Sequence, residues 1–134
     1  MKVLLKSKQY YGTHEEEVSE EFDCIVTNTN DIIKIEFENG FIQIENGKMI
    51  HERGENKFYV EEGKESEVDY DTERGLLVLD LKGIEVVKED VQVGLVGRAK
   101  YEINVKGIEP YINEILIYII ELWGDLILIV IHII

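Results

Sequence analysis

Cysteine and histidine are the residue types in this chain best suited to nucleophilic or metal chemistry, and their placement argues against both. Cys24 is the single cysteine, and His14, His51 and His132 are the three histidines. A lone cysteine allows neither an internal disulfide nor a cysteine-based zinc site. It sits in an alternating run with Val18, Phe22 and Val26 on its face and Glu20, Glu21 and Asp23 close by. Acidic neighbours raise a thiol's pKa and disfavour the nucleophilic thiolate, so Cys24 reads as a core residue. The histidines are far apart and form no two-histidine motif. Asp69, Asp71, Glu73 and Asp80 echo four positions of a calcium loop, but Arg74 stands where the glycine bend belongs. The chain contains no nucleophile elbow, phosphate-binding glycine loop or dinucleotide fingerprint. We assign no catalytic residue, metal ligand or cofactor, and read the chain as non-enzymatic.

One set of polar residues does converge. Side chains alternate across a strand, so an apolar face running through Ile44 and Met49 continues to His51 and Arg53. By the same parity Tyr70, and Glu20 between Val18 and Phe22, point inward. A guanidinium among apolar side chains needs a partner, because an isolated charge in a low dielectric is costly. Glu20 is the expected partner of Arg53. Arg53, His51, Tyr70 and Glu20 thus read either as an ion pair plugging the interior or as polar anchors for a small ligand.

The elements that must position these residues read as strands. Ile and Val dominate an apolar fraction of 45%, and β-branched side chains fit a pleated surface. Asn39-Gly40 and Asn46-Gly47 each suit a two-residue type I′ hairpin, in which both central residues have φ > 0. With those turns Phe37 faces Ile42 and Ile35 faces Ile44. Across the second turn Ile44 faces Met49 and Glu45 faces Lys48. Phe58 and Val60 share a face, as do Val68, Tyr70 and Thr72, then Leu77, Leu79 and Leu81, then Ala99, Tyr101, Ile103 and Val105. After Gly83 the parity shifts to Ile84 and Val86, which predicts a β-bulge. Residues 15–22 fit a short helix or a strand, and the Ile25-Val26-Thr27 run favours the strand. The sum is an all-β fold: an antiparallel meander of about eight to ten strands closed into a barrel, a single domain over 1–134.

Charge and hydropathy bound the partners. Fourteen Lys and Arg face twenty-eight Asp and Glu, a net charge of −14 with no basic stripe. That excludes nucleic acid, whose binding draws on phosphate neutralisation, and disfavours an anionic membrane surface. Met1 leads into Val3-Leu4-Leu5 and then Lys6, too short an apolar run for a secretory signal, so a cytoplasmic location is expected. Residues 115–134 are long enough to span a bilayer as a helix at ~1.5 Å per residue. Their fourteen Ile, Leu and Val contribute about −4 to −8 kcal/mol, which Glu121 and Asp125 nearly cancel at about 2.5–3.5 kcal/mol each. The Trp123-Gly124-Asp125 break instead predicts a turn and an extra C-terminal strand over 124–134. That strand is apolar on both faces and needs cover, so a homodimer through the C-terminal strands is expected.

Several spaced residues resemble the YwiB-like family, small bacterial domains of unknown function. Ile33-Lys34-Ile35-Glu36-Phe37-Glu38 looks like its apolar strand with an aromatic-acidic end. Glu45-Asn46-Gly47-Lys48 followed by Arg53-Gly54 looks like its hairpin and Arg-Gly turn. Tyr70, Thr72 and Gly75, then Gly97, Tyr101 and Ile103, then Asn113, Ile115 and Ile117 match its later strands. The resemblance covers roughly residues 22–121 and implies a calycin-like, lipocalin-type β-barrel; it implies no activity. Two functions are therefore expected of the barrel. The first is a non-enzymatic container for a small apolar or amphipathic ligand. The alternative is a barrel filled by its own side chains that acts as a protein-interaction or self-association module.

Overall fold

The computed structural model describes residues 1–121. Ten strands follow one another: β1 (Lys2–Tyr11), β2 (His14–Asn28), β3 (Ile33–Phe37), β4 (Gly40–Glu45), β5 (Lys48–Arg53), β6 (Asn56–Glu61), β7 (Glu65–Thr72), β8 (Gly75–Lys88), β9 (Gly94–Val105) and β10 (Tyr111–Ile120). Among the described residues there is no helix, and residues 15–22 belong to the long strand β2. The hydrogen-bonded order is β6-β5-β4-β3-β2-β1-β10-β9-β8-β7, and every neighbouring pair is antiparallel. This is a meander whose first and last strands pair. The two edges, β6 and β7, approach each other, so the sheet is a nearly closed barrel.

Closure is made differently at the two ends of that seam. At one end Glu62 bridges Gly83, Gly63 N donates to Gly83 O (2.9 Å), and Gly83 N donates to Lys64 O (3.0 Å). A Cβ at Gly83 would collide with the Glu61 carbonyl, so glycine permits this approach. The turn between β4 and β5 docks beside it: Gly47 N donates to Val86 O (2.9 Å), and Asn46 Oδ1 accepts from Lys88 N (2.9 Å). At the other end side chains bridge the strands. Ser66 Oγ donates to Tyr59 O (2.7 Å), and Asp71 N donates to Asn56 Oδ1 (3.0 Å).

The predicted inward face of β3–β5 holds. Ile33, Ile35, Phe37, Ile42, Ile44 and Met49 are all buried. The second hairpin has the expected register, Ile44 opposite Met49 and Glu45 opposite Lys48. The first does not: Phe37 pairs with Gly40, Ile35 with Ile42 and Ile33 with Ile44, so its loop is Glu38-Asn39. Its left-handed residue is Asn39 (φ 72°), and in the second turn it is Gly47 (φ 87°); each turn has one such residue where type I′ needs two. The cause is strand β5. A Cβ at Gly40 would collide with the Glu52 carbonyl, so this glycine serves close strand approach within β4 and the turn moves back one residue. The register slips by two, which preserves the faces.

The expected bulge lies between Gly83 and Glu85, opposite Tyr101 and Lys100. Ile84 is the extra residue and is exposed, while Val86 returns to the core. A second irregularity places Val96 between the partners of Ile117 and Tyr118. On β10 both faces are buried from Ile117 to Ile120, in keeping with its two-sided apolar sequence. Asp69 and Asp71 lie on β7 opposite Val78 and Leu76, so the calcium-loop echo is a hairpin. The expected strand at 124–134, with the dimer drawn from it, lies outside the described residues. Among the described residues no helix is long and apolar enough to cross a membrane.

Candidate functional site

Along each strand the inward-facing series begins as packed core and changes character toward one end of the barrel. On β1 it runs Val3, Leu5, then Ser7 and Gln9; on β5 Met49, then His51; on β9 Ala99, then Tyr101, Ile103 and Val105. On β10 it runs Ile119, Ile117, Ile115, then Asn113 and Tyr111. Aliphatic side chains fill the first half. In the second half they leave a cup of about 450 Å³. Val18, Leu77 and Ile108 line its mouth and are about half exposed, so the cup opens to solvent. Its size falls within the range of about 300–1,000 Å³ typical of small-molecule sites.

Three of the four residues singled out in the sequence line this cup: His51, Tyr70 and Glu20. The fourth, Arg53, stands behind Glu20. Its Nη1 lies 2.9 Å from both Glu20 carboxylate oxygens, and its guanidinium packs over the Phe22 ring at 5.1 Å. The expected pair therefore forms. It does not lie deep in the barrel, since the Arg53 and Glu20 side chains are 37% and 43% exposed. Parity places Arg53 on the inward face, but it is the last residue of β5, where the barrel gives way to solvent.

His51 is the deep member, 9% exposed. Its ring is the inner end of an aromatic row, 6.1 Å from Phe58, which is 5.8 Å from Tyr70. Nε2 is buried and has no hydrogen-bond partner among the described residues. Burial pushes the His51 pKa down to about 4; the Arg53 charge adds to this and Glu20 opposes it. The imidazole is neutral at pH 7, one nitrogen a donor and the other an acceptor.

The sequence reading missed a second polar group. Ser7 Oγ donates to Asn113 Oδ1 (3.1 Å), and Asn113 Nδ2 donates to the Tyr101 hydroxyl (2.7 Å). Asn113 and Tyr101 are buried, and all three line the cup. Burial pushes the Tyr101 pKa up to about 12, with the Asn113 hydrogen bond opposing it, so the phenol keeps its proton. The available signal was a polar residue at an inward parity position, Ser7 after Val3 and Leu5, and Asn113 before Ile115 and Ile117.

The cup presents hydrogen-bonding groups and one carboxylate. Among the described residues Glu20 is the only charged group lining the cup, and Arg53 holds it. Among the described residues no three metal-ligating side chains converge. Cys24 lies elsewhere; burial pushes its thiol up, the chain's N-terminal ammonium opposes this, and Asp23 adds to it.

No protein-family model matches the chain, and no curated protein matches it. Among solved structures it is similar to the YwiB protein of Bacillus subtilis, with a TM-score of 0.62 at 12% identity, covering 87% of this chain and 89% of that one. At that identity the likeness establishes the fold.

Proposed function

We propose that this chain is a non-enzymatic, calycin-like barrel of the YwiB-like kind that holds one small apolar or amphipathic molecule in its cup. The observation that carries the reading is the half-filled interior. Aliphatic side chains close one half of the barrel, while the other half is an open, mostly apolar cup with polar groups at His51, Tyr101 and Asn113. Buried polar groups set in apolar walls are the usual composition of a ligand site. Titration with the neutral fluorophore N-phenyl-1-naphthylamine tests this. The full chain is expected to bind one equivalent with enhanced emission, and Val105→Trp, which fills part of the cup, to weaken binding by roughly tenfold or more. Equal binding by both proteins places the dye elsewhere and defeats the reading.

A second reading, self-association through the surface, has one observation in its favour. Leu76 and Val78 are exposed on the outer face of β8, beside the edge strand β7. An apolar strip at a sheet edge invites a partner strand. Light scattering on the full chain decides: a dimer that Leu76→Lys with Val78→Lys dissociates supports it, and a monomer refutes it.

A further inference from the structure

We infer, on the reading that the cup is a ligand site, that its ligand is an uncharged molecule bearing a hydroxyl group, and that the His51 imidazole is the group that hydrogen-bonds this hydroxyl. His51 is 9% exposed and lines the cup, and its buried Nε2 has no hydrogen-bond partner among the described residues. A buried polar atom left unpaired is costly, so a ligand group that pairs with it gains the satisfaction of that atom as well as its own.

The choice of hydroxyl follows from the donor and acceptor inventory. In a neutral imidazole Nε2 either donates or accepts, according to the tautomer. A hydroxyl matches both cases, being donor and acceptor at once. A carboxylate only accepts and an ammonium only donates. Charge selects the same class. A buried carboxylate needs a cation, and among the described residues no Lys or Arg lines the cup. The nearest guanidinium, Arg53, already holds Glu20 at 2.9 Å, and Glu20 would repel an entering anion. An ammonium would compete with Arg53 for Glu20, and it can pair with His51 only in the tautomer that accepts. The Tyr101 phenol, already accepting from Asn113 Nδ2, still has its own hydrogen to offer a ligand oxygen.

Competition against bound N-phenyl-1-naphthylamine at pH 7 tests the inference with 1-octanol, octanoate, octylammonium and 1-chlorooctane, which share a chain and differ in the head. One buried hydrogen bond is expected to make octanol about tenfold more effective than chlorooctane, with octanoate and octylammonium weaker than octanol. His51→Phe should keep dye binding and lose the preference for octanol over chlorooctane. His51→Gln, which keeps a side-chain donor and acceptor, should retain part of it and reports on the contact if the Phe variant does not fold. Octanoate or octylammonium competing as well as octanol overturns the inference, as does an octanol preference that survives in His51→Phe. Failure of the folded chain to bind the dye at all overturns the cup reading itself, and this inference with it.

Discussion

His51 is a basic side chain held neutral by its surroundings, and that couples the fold to pH. Its pKa is about 4 in the folded chain and about 6.5 in an unfolded one. Above pH 6.5 neither state is protonated and the contribution is fully present. As pH falls from 6.5 toward 4, the unfolded chain takes up a proton that the folded chain refuses, and stability is lost. Over that window the loss reaches about 3 kcal/mol. Urea unfolding of the parent and of His51→Phe between pH 7 and pH 4 should show a steeper decline in the parent; parallel declines contradict the assignment. Arg53 makes the opposite case. Its pair with Glu20 is close but more than a third exposed, and pairs so placed contribute about 0–1 kcal/mol. Arg53→Met, which can still cover Phe22, should shift the unfolding free energy by no more than about 1 kcal/mol. A loss of several kcal/mol would show a buried, stranded Glu20. Parity sufficed to identify both residues and their partner. Depth was not legible, because alternation tells which face a side chain takes and not how far along the barrel its strand lies. The same limit hid Ser7 and Asn113, which lie far apart in sequence and meet only where β1 pairs with β10.

The elements were legible wherever alternation was clean, and their joints were not. The bulge after Gly83 showed as a break in parity, and the second hairpin followed its Asn-Gly turn. The first hairpin slipped by two because Gly40 answers to a neighbouring strand, a demand that no local window displays. Gly83 obeys a similar long-range demand at the seam, where its missing side chain lets residues 61–64 close the barrel over β8. Gly83→Ala should therefore destabilise the fold by about 1–3 kcal/mol, the usual range for overpacking. Ala is ordinarily the better residue in a strand interior, so a neutral or stabilising result in chemical denaturation would show that the closure is not tight.

At the scale of the molecule, the barrel divides its interior into a packed half and an open half. The half built from β3–β5 and the ends of β1, β8, β9 and β10 is solid, with Ile33, Ile35, Ile42, Ile44, Ile117 and Ile119 almost wholly buried. The other half gives up that packing to leave a cup of about 450 Å³. Such a space forfeits dispersion contacts that a filled barrel would have, so a ligand that fills it restores stability as well as occupying a site. The net charge of −14 and the Glu20 carboxylate at the wall set a field that disfavours anions, in keeping with a neutral occupant. The all-β class and the barrel followed from composition and turn spacing; the half-empty interior did not, because inward side chains rich in Ile, Leu, Phe and Tyr suggest a filled barrel until their positions are known. Methyl-labelled NMR of the full chain with N-phenyl-1-naphthylamine tests the division most directly. The account predicts shifts confined to cup methyls such as Val18, Leu79, Ile103, Ile108 and Ile115, with Ile35, Ile42 and Ile44 unmoved. Shifts on the outer face at Ile25, Leu76 and Val78, or no shifts at saturating dye, would contradict it.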